Sequence, residues 1–234
     1  MHDHATRIIA IRHGETAWNV DTRIQGQLDI PLNDLGRWQA RRLGHAVIDE
    51  HIDAIYASDL LRAHETARAV SLATGVPVVT DTGLRERHFG EFEGFTWKEI
   101  EERWPVASER WRRRELDFAP AGGESLHAFY ERSITTATRL AAAHPGQTIA
   151  LVAHGGVMDC LYRAASRIDL QAPRSWQLGN ASINRLLYTP EGFTLVGWND
   201  THHFDGLDGP DGPSLDDPGN ATGLAATDRV GHAA

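Results

Sequence analysis

The stretch RIIAIRHGETAWN, from Arg7 to Asn19, decides the fold. Ile8 to Ile11 make a short unbroken apolar run, which reads as a strand buried on both faces of a sheet. The run closes with Arg12 and His13 and turns at once on Gly14. Open α/β sheets bind their ligands at the C-terminal ends of the strands, so an Arg-His pair at that point is where chemistry is expected.

Outward from this stretch the same rhythm repeats. DAIYAS (Asp53 to Ser58), VPVVTD (Val76 to Asp81) and TIALVAHGG (Thr148 to Gly156) read as further strands. FTLVGWN follows the turn TPEG and is expected to pair with SINRLLY in a hairpin. Between the first two strands Leu35, Trp38, Leu43 and Val47 recur at helical spacing, with Asn33 or Asp34 as N-cap. Ser58 or Asp59 is the expected cap of a helix carrying Leu60, Leu61, Ala67 and Val70. Ser125 to His144 places Leu126, Phe129, Ser133, Ala137 and Leu140 on one face, and Pro145-Gly146 ends it. Strands separated by helices imply an α/β three-layer sandwich, its sheet mainly parallel, with helices on both faces.

The rhythm breaks between residues 90 and 123, which hold Trp97, Trp104, Trp111 and the run RWRRRE. This segment is expected to be a helical insertion, a lid over the ligand edge of a domain spanning residues 1–204. Residues 205–234 are rich in Gly, Pro and Asp and read as a flexible acidic tail.

Composition excludes several functions. The formal charge is −9, of which −5 falls from Asp205 onward (six Asp, one Arg), and this argues against nucleic acid or an anionic membrane as partner. The single cysteine, Cys160, permits no internal disulfide, no apolar stretch approaches a membrane span, and the N-terminal run is too short for a signal peptide. A cytoplasmic protein is expected, in which the sequon at Asn220 has no use. Lys98 is the sole lysine, so any anion site is built from guanidinium forks. The 13 histidines include His2, His4, His202 and His203, which are too terminal and too few for a closed metal site; solvated positions and no metal are expected.

Two histidines stand in matching settings: His13 after RIIAI and before Gly14, and His154 after TIALVA and before Gly155-Gly156. In a parallel sheet both point to one edge, as do Arg12 and Arg62, the latter in the first turn of the helix after DAIYAS. Singly, a histidine after a strand is more often structural and an arginine in a first turn more often solvated; convergence of four such residues from three strands favours a site. Arg forks bind a tetrahedral oxyanion, and a neutral imidazole can attack phosphorus to give a covalent intermediate. A departing alcohol needs a proton, for which LRERHFGEFEG offers Glu86, nearest the strand end. Glu91 and Glu93 read as solvated loop carboxylates.

RHGETAWN, ASDLLRAHETA, LRERHFGEFEG and LVAHGG together, in that order, resemble the histidine phosphatase superfamily of phosphoglycerate-mutase-like enzymes, from about Arg7 to Trp198. The resemblance implies that His13 is the phosphorylated nucleophile and Glu86 the proton donor, later the base toward water. Arg12, Arg62 and His154 would form the phosphate pocket, and Asn19, Gln25, Gly26 and the backbone of Gly155 would bind substrate. The expected ligand is a small phosphorylated metabolite, without a cofactor.

The family divides into phosphatases and mutases that work through 2,3-bisphosphoglycerate. ERHFG resembles the mutases, whereas AHGGV and PAGGESL resemble the phosphatases. A mutase needs a second anion holder; Lys98 stands one residue out of register, and Arg112, Arg113 and Arg114 are the remaining candidates. A metal-independent phosphatase is therefore expected, with cofactor-dependent mutase as the alternative and a non-catalytic phosphate-binding module behind both. Oligomeric state, a homodimer included, is left open.

Overall fold

A computed structural model describes residues 4–205 of the chain; nearly all of the expected tail lies outside them. Strands β1 (Thr6–Arg12), β2 (Ala54–Ala57), β3 (Val78–Thr80), β4 (Thr148–Ala153), β5 (Ile183–Thr189) and β6 (Gly192–Asp200) form one sheet, in the order β3-β2-β4-β1-β5-β6. The first four run parallel, and β5 and β6 add an antiparallel hairpin beside β1. All the expected strands are present, and the expected hairpin closes the sheet.

Side chains alternate across a strand, and β1 shows why its run is apolar throughout. Ile8 and Ala10 pack on one face with α6 (Leu126–Ala142) and α7 (Gly155–Ser166), through Phe129, Ala137, Leu140, Val157 and Leu161. Ile9 and Ile11 pack on the other, where α2 (Asp34–Ala46) and α3 (Leu61–Thr74) bring Leu43, Ala67 and Val70. With helices on both faces, positions 8–11 of β1 leave no place for a polar side chain until the strand ends at Arg12.

Asn33 and Ser125 cap α2 and α6, accepting from Gly36 N at 2.7 Å and Ala128 N at 3.1 Å. The expected cap of α3 is corrected. Its N-cap position is Leu60, and Asp29, from a distant loop, accepts from Leu61 N at 2.6 Å. Asp59 is instead engaged by Arg85, at 2.5 and 2.7 Å. A cap contributed across the fold leaves no local signature.

Residues 90–123 contain α4 (Trp97–Arg103) and α5 (Pro105–Arg112), joined at Trp104. Phe92, Ile100, Trp111 and Phe118 form a small core of their own with Phe89 and Ile24. The segment is tied to the loop after α1 (Ala17–Val20) by Ile24 N to Phe95 O at 3.0 Å and Gly94 N to Ile24 O at 2.8 Å.

Gly14 owes its identity to close approach, not to an unusual turn. A Cβ there would lie 2.5 Å from the Gly36 carbonyl oxygen, and a Cβ on Gly36 would lie 2.0 Å from the Glu15 oxygen. The turn after β1 thus sits directly on the first turn of α2. Gly36→Ala, although it favours a helix intrinsically, is expected to lower the unfolding free energy by about 1–3 kcal/mol. Denaturant midpoints test this; an unchanged or raised midpoint contradicts the close packing.

Candidate active site

Parallel pairing sets Arg12 opposite Ala153, so the next residues, His13 and His154, leave the sheet side by side. His13 N continues the ladder by donating to Ala153 O at 3.0 Å. The two rings lie 5.3 Å apart between centroids, tilted by 58°, and both are buried. Arg12 donates to the Leu178 carbonyl at 2.6 Å. Arg62, the second residue of α3, donates to the carbonyls of Leu28 at 2.9 Å and Gly26 at 2.7 Å, which draws the loop bearing Gln25 and Gly26 to the same edge. Asn19 is buried at the end of the one-turn helix α1.

The protonation of His13 follows from one contact. Its Nδ1 is 2.6 Å from the Gly14 carbonyl oxygen, and a carbonyl only accepts. Nδ1 therefore carries the proton, and Nε2 holds the lone pair. Burial first, then the charges of Arg62 and Arg12, push the His13 pKa well below its ordinary value; the Gly14 bond opposes them. His154 is pushed down in the same way, by burial and then by Arg62. Neither ring nitrogen of His154 nor either amide atom of Gln25 has a hydrogen-bond partner among the described residues. α7 begins at Gly155 with no side-chain cap, so its positive end adds to the two guanidinium groups. This is an anion site around a neutral imidazole with a free lone pair.

Glu86 stands at the rim. Its Oε2 accepts from Gly156 N at 2.9 Å, two residues beyond His154, and its Oε1 from Arg87 N at 2.8 Å. A Cβ on Gly156 would lie 2.2 Å from Oε1, so this carboxylate needs glycine there. Arg12, His13, Arg62, Glu86 and His154 thus lie at one edge of the sheet.

Two supports were not legible in the sequence. Arg132, on α6, donates to the carbonyls of Gly83, Arg85 and Glu86 at 2.9–3.1 Å and to both oxygens of Glu124 at 2.8 Å, clamping the Glu86 loop. Asn180 donates to the His13 carbonyl at 3.1 Å and, more weakly, to Asn19 Oδ1 at 3.4 Å. Arg132 lies beside the buried Ser133 on a helix, and nothing in the spacing distinguishes it from a solvated arginine.

Other expectations need correction. Glu93 is no solvated carboxylate: its side chain is 8% exposed and accepts from Gln27 N and Phe89 N, each at 3.0 Å, bracing the Gly26 loop. His203 is half-buried against Phe204, and burial lowers its pKa to about 4. Among the described residues no group of three or more His, Cys, Asp or Glu side chains could hold a metal ion.

The neutral imidazole pair makes the fold acid-sensitive. Both folded-state pKa values lie below the ordinary 6.5. The unfolded chain therefore protonates first, and the stability contributed above that pH is lost as pH falls through and below it. Denaturation midpoints are expected to decline from pH 7.5 to 5, less steeply in His154→Asn; identical slopes contradict the buried neutral pair.

Residues 8–201 match the histidine phosphatase superfamily (branch 1). The chain is 38% identical over 202 residues to phosphoglycerate mutase-like protein 4 of Arabidopsis thaliana, covering 85% of this chain and 86% of that one. It is 35% identical over 209 residues to a metal-independent phosphoserine phosphatase of the same plant, covering 87% and 85%. A mycobacterial glucosyl-3-phosphoglycerate phosphatase solved in complex with VO3 superposes with a TM-score of 0.73 at 35% identity, over 83% of this chain and 99% of that one. The chain belongs to the histidine phosphatase superfamily.

Proposed function

We propose that the protein is a metal-independent phosphatase that moves the phosphoryl group of a small phosphomonoester to water through a phosphohistidine at His13. The observation that carries this reading is the His13 Nδ1–H bond to the Gly14 carbonyl, which leaves Nε2 as nucleophile among Arg12, Arg62 and His154. Nε2 attacks phosphorus, the P–O ester bond breaks, and the Glu86 carboxylic acid gives its proton to the departing alkoxide. The Gly14 carbonyl then stabilises the positive charge on the phosphorylated ring. In the second half a water attacks phosphorus, Glu86 takes its proton, the P–N bond breaks, and inorganic phosphate leaves with His13 restored.

Arg12 and Arg62 neutralise the equatorial oxygens as charge shifts onto them. His154, Asn19, Gln25 and the backbone of Gly26 and Gly155 supply further donors. Every step uses the chain's own side chains and water, so the reading needs no cofactor. A catalytic unit of residues 1–204 followed by an acidic tail belongs to it, supported by a family match that ends at residue 201.

Three observations favour hydrolysis over the mutase reaction. Lys98 is exposed. Arg112 is paired with Glu101, and Arg113 with Glu109 at 2.8 Å, both on the outer face of α5. Relatives include two named phosphatases. A binding module without catalysis would have no use for a carboxylate fixed against the α7 terminus beside His154.

The test is Glu86→Gln, assayed in EDTA. Turnover of an alkyl phosphate is expected to fall by about 10²–10⁴, and that of p-nitrophenyl phosphate, whose leaving group needs no proton, far less. Equal losses on the two substrates contradict the acid role, and activity abolished by EDTA in the unaltered protein contradicts the metal-free route.

A further inference from the structure

Between α2 and α3 the surface opens into a groove of about 280 Å³. Arg37 and Arg41, one turn apart on α2, and Arg68 of α3 line it, together with Leu32, Leu72 and a single carboxylate, Glu65. Arg37 is engaged, donating to Asp34 Oδ1 at 2.6 Å and to the Leu32 carbonyl at 2.5 Å. Arg41 and Arg68 are exposed and make no hydrogen bond or ion pair among the described residues. Leu72 is 83% exposed. Glu65 Oε2 is shut off from solvent and has no hydrogen-bond partner among the described residues. Three guanidinium groups against Glu65 leave the lining at +2, and Asp34 at its rim brings this to +1.

Glu65 decides what chemistry fits. An inorganic polyanion would pair with Arg41 and Arg68 but would be repelled by an unpartnered carboxylate in the same groove. An acidic peptide brings carboxylates for the arginines and backbone N–H donors for Oε2. A leucine among those carboxylates would cover Leu32 and Leu72, because apolar surface gains by leaving water.

The chain itself supplies such a segment at the required place. The described structure ends against α2: Phe204 stacks on Trp38 with 5.5 Å between centroids, and the His203 carbonyl accepts from Arg42 Nε at 3.3 Å. Trp38 and Arg42 each follow a groove arginine, Arg37 and Arg41, and so stand only about 100° round the helix from them. Residues 206–217, GLDGPDGPSLDD, hold four Asp, two Leu and no cation. The ten residues from Asp205 to Leu215 reach up to about 35 Å, against a helix diameter of about 10–12 Å.

We propose that the α2–α3 groove is the docking site of this chain's own acidic segment, residues 206–217, whose carboxylates meet Arg41 and Arg68 and whose Leu215 covers Leu32 and Leu72. The proposal is independent of the phosphatase reading, because the groove is lined by none of the residues placed in the active site. Exposed ion pairs are individually weak and screened by salt, so the docking is salt-sensitive.

The test uses the full chain, isotope-labelled for amide NMR, with a nitroxide on Ser214→Cys; Cys160 is buried and does not compete for the label. Amide signals around Arg41, Arg68 and Leu72 are expected to be broadened away at low salt. They should return in about 1 M salt, where the screening length is about 3 Å, and in Arg41→Glu/Arg68→Glu. Signals left intact at low salt overturn the docking, and so does broadening that survives Arg41→Glu/Arg68→Glu. Broadening of isotope-labelled chains by added nitroxide-bearing chains assigns the groove to a second copy and also overturns it. Without any nitroxide, the amide shifts of Asp208 to Asp217 are expected to differ between the unaltered chain and Arg41→Glu/Arg68→Glu. Identical shifts overturn the proposal even if the Ser214→Cys chain fails to fold.

Discussion

The site depends on the register between β1 and β4. Arg12 pairs with Ala153, and this alone brings His13 and His154 out of the sheet as neighbours. The register is held by burial. Ile8 and Ala10 belong to one core, Ile9 and Ile11 to the other, and β4 is buried along its whole length. A slip of one residue would exchange the two sets of side chains between cores of different shape. Hydrophobic packing far from any polar group thus fixes the spacing of two imidazoles to 5.3 Å.

Once placed, those imidazoles are tuned by what surrounds them. Burial and two guanidinium groups keep His13 neutral, and a single backbone carbonyl decides which of its nitrogens is free. Buried charges are costly unless held by hydrogen bonds, and the fold supplies them from the backbone: Leu178 for Arg12, Leu28 and Gly26 for Arg62. Arg132 and Glu124 do for the Glu86 loop what Asn180 does for the His13 carbonyl. The site is therefore rigid because remote segments converge on its backbone, and its side chains have little left to reorganise.

Much of this was legible in the sequence, for a physical reason. Unbroken apolar runs in β1 and β4 and helical spacing in α6 are local patterns, and they led to the α/β sandwich, its hairpin and the shared edge of His13, His154 and Arg62. What stayed hidden was non-local. Asp29 capping α3, Glu93 bracing Gly26, Asn180 behind His13 and Arg132 behind Glu86 each act across more than 25 residues, where spacing carries no information. The arginine run shows the limit most clearly. Three identical letters conceal a helix end, and one left-handed residue separates two solvated side chains from one that lines a buried cavity. The segment from residue 206 onward, where an acidic tail is expected, lies outside the described residues.

The central claim is that His13 Nε2 becomes covalently bonded to phosphorus. Brief reaction with a phosphomonoester, a denaturing quench at alkaline pH and peptide mass spectrometry test it directly. The account predicts a phosphoryl group on the peptide containing His13, stable to base, lost in acid and absent from His13→Ala. Single-turnover hydrolysis at the normal rate with no such adduct, or an adduct that survives in His13→Ala, would contradict it.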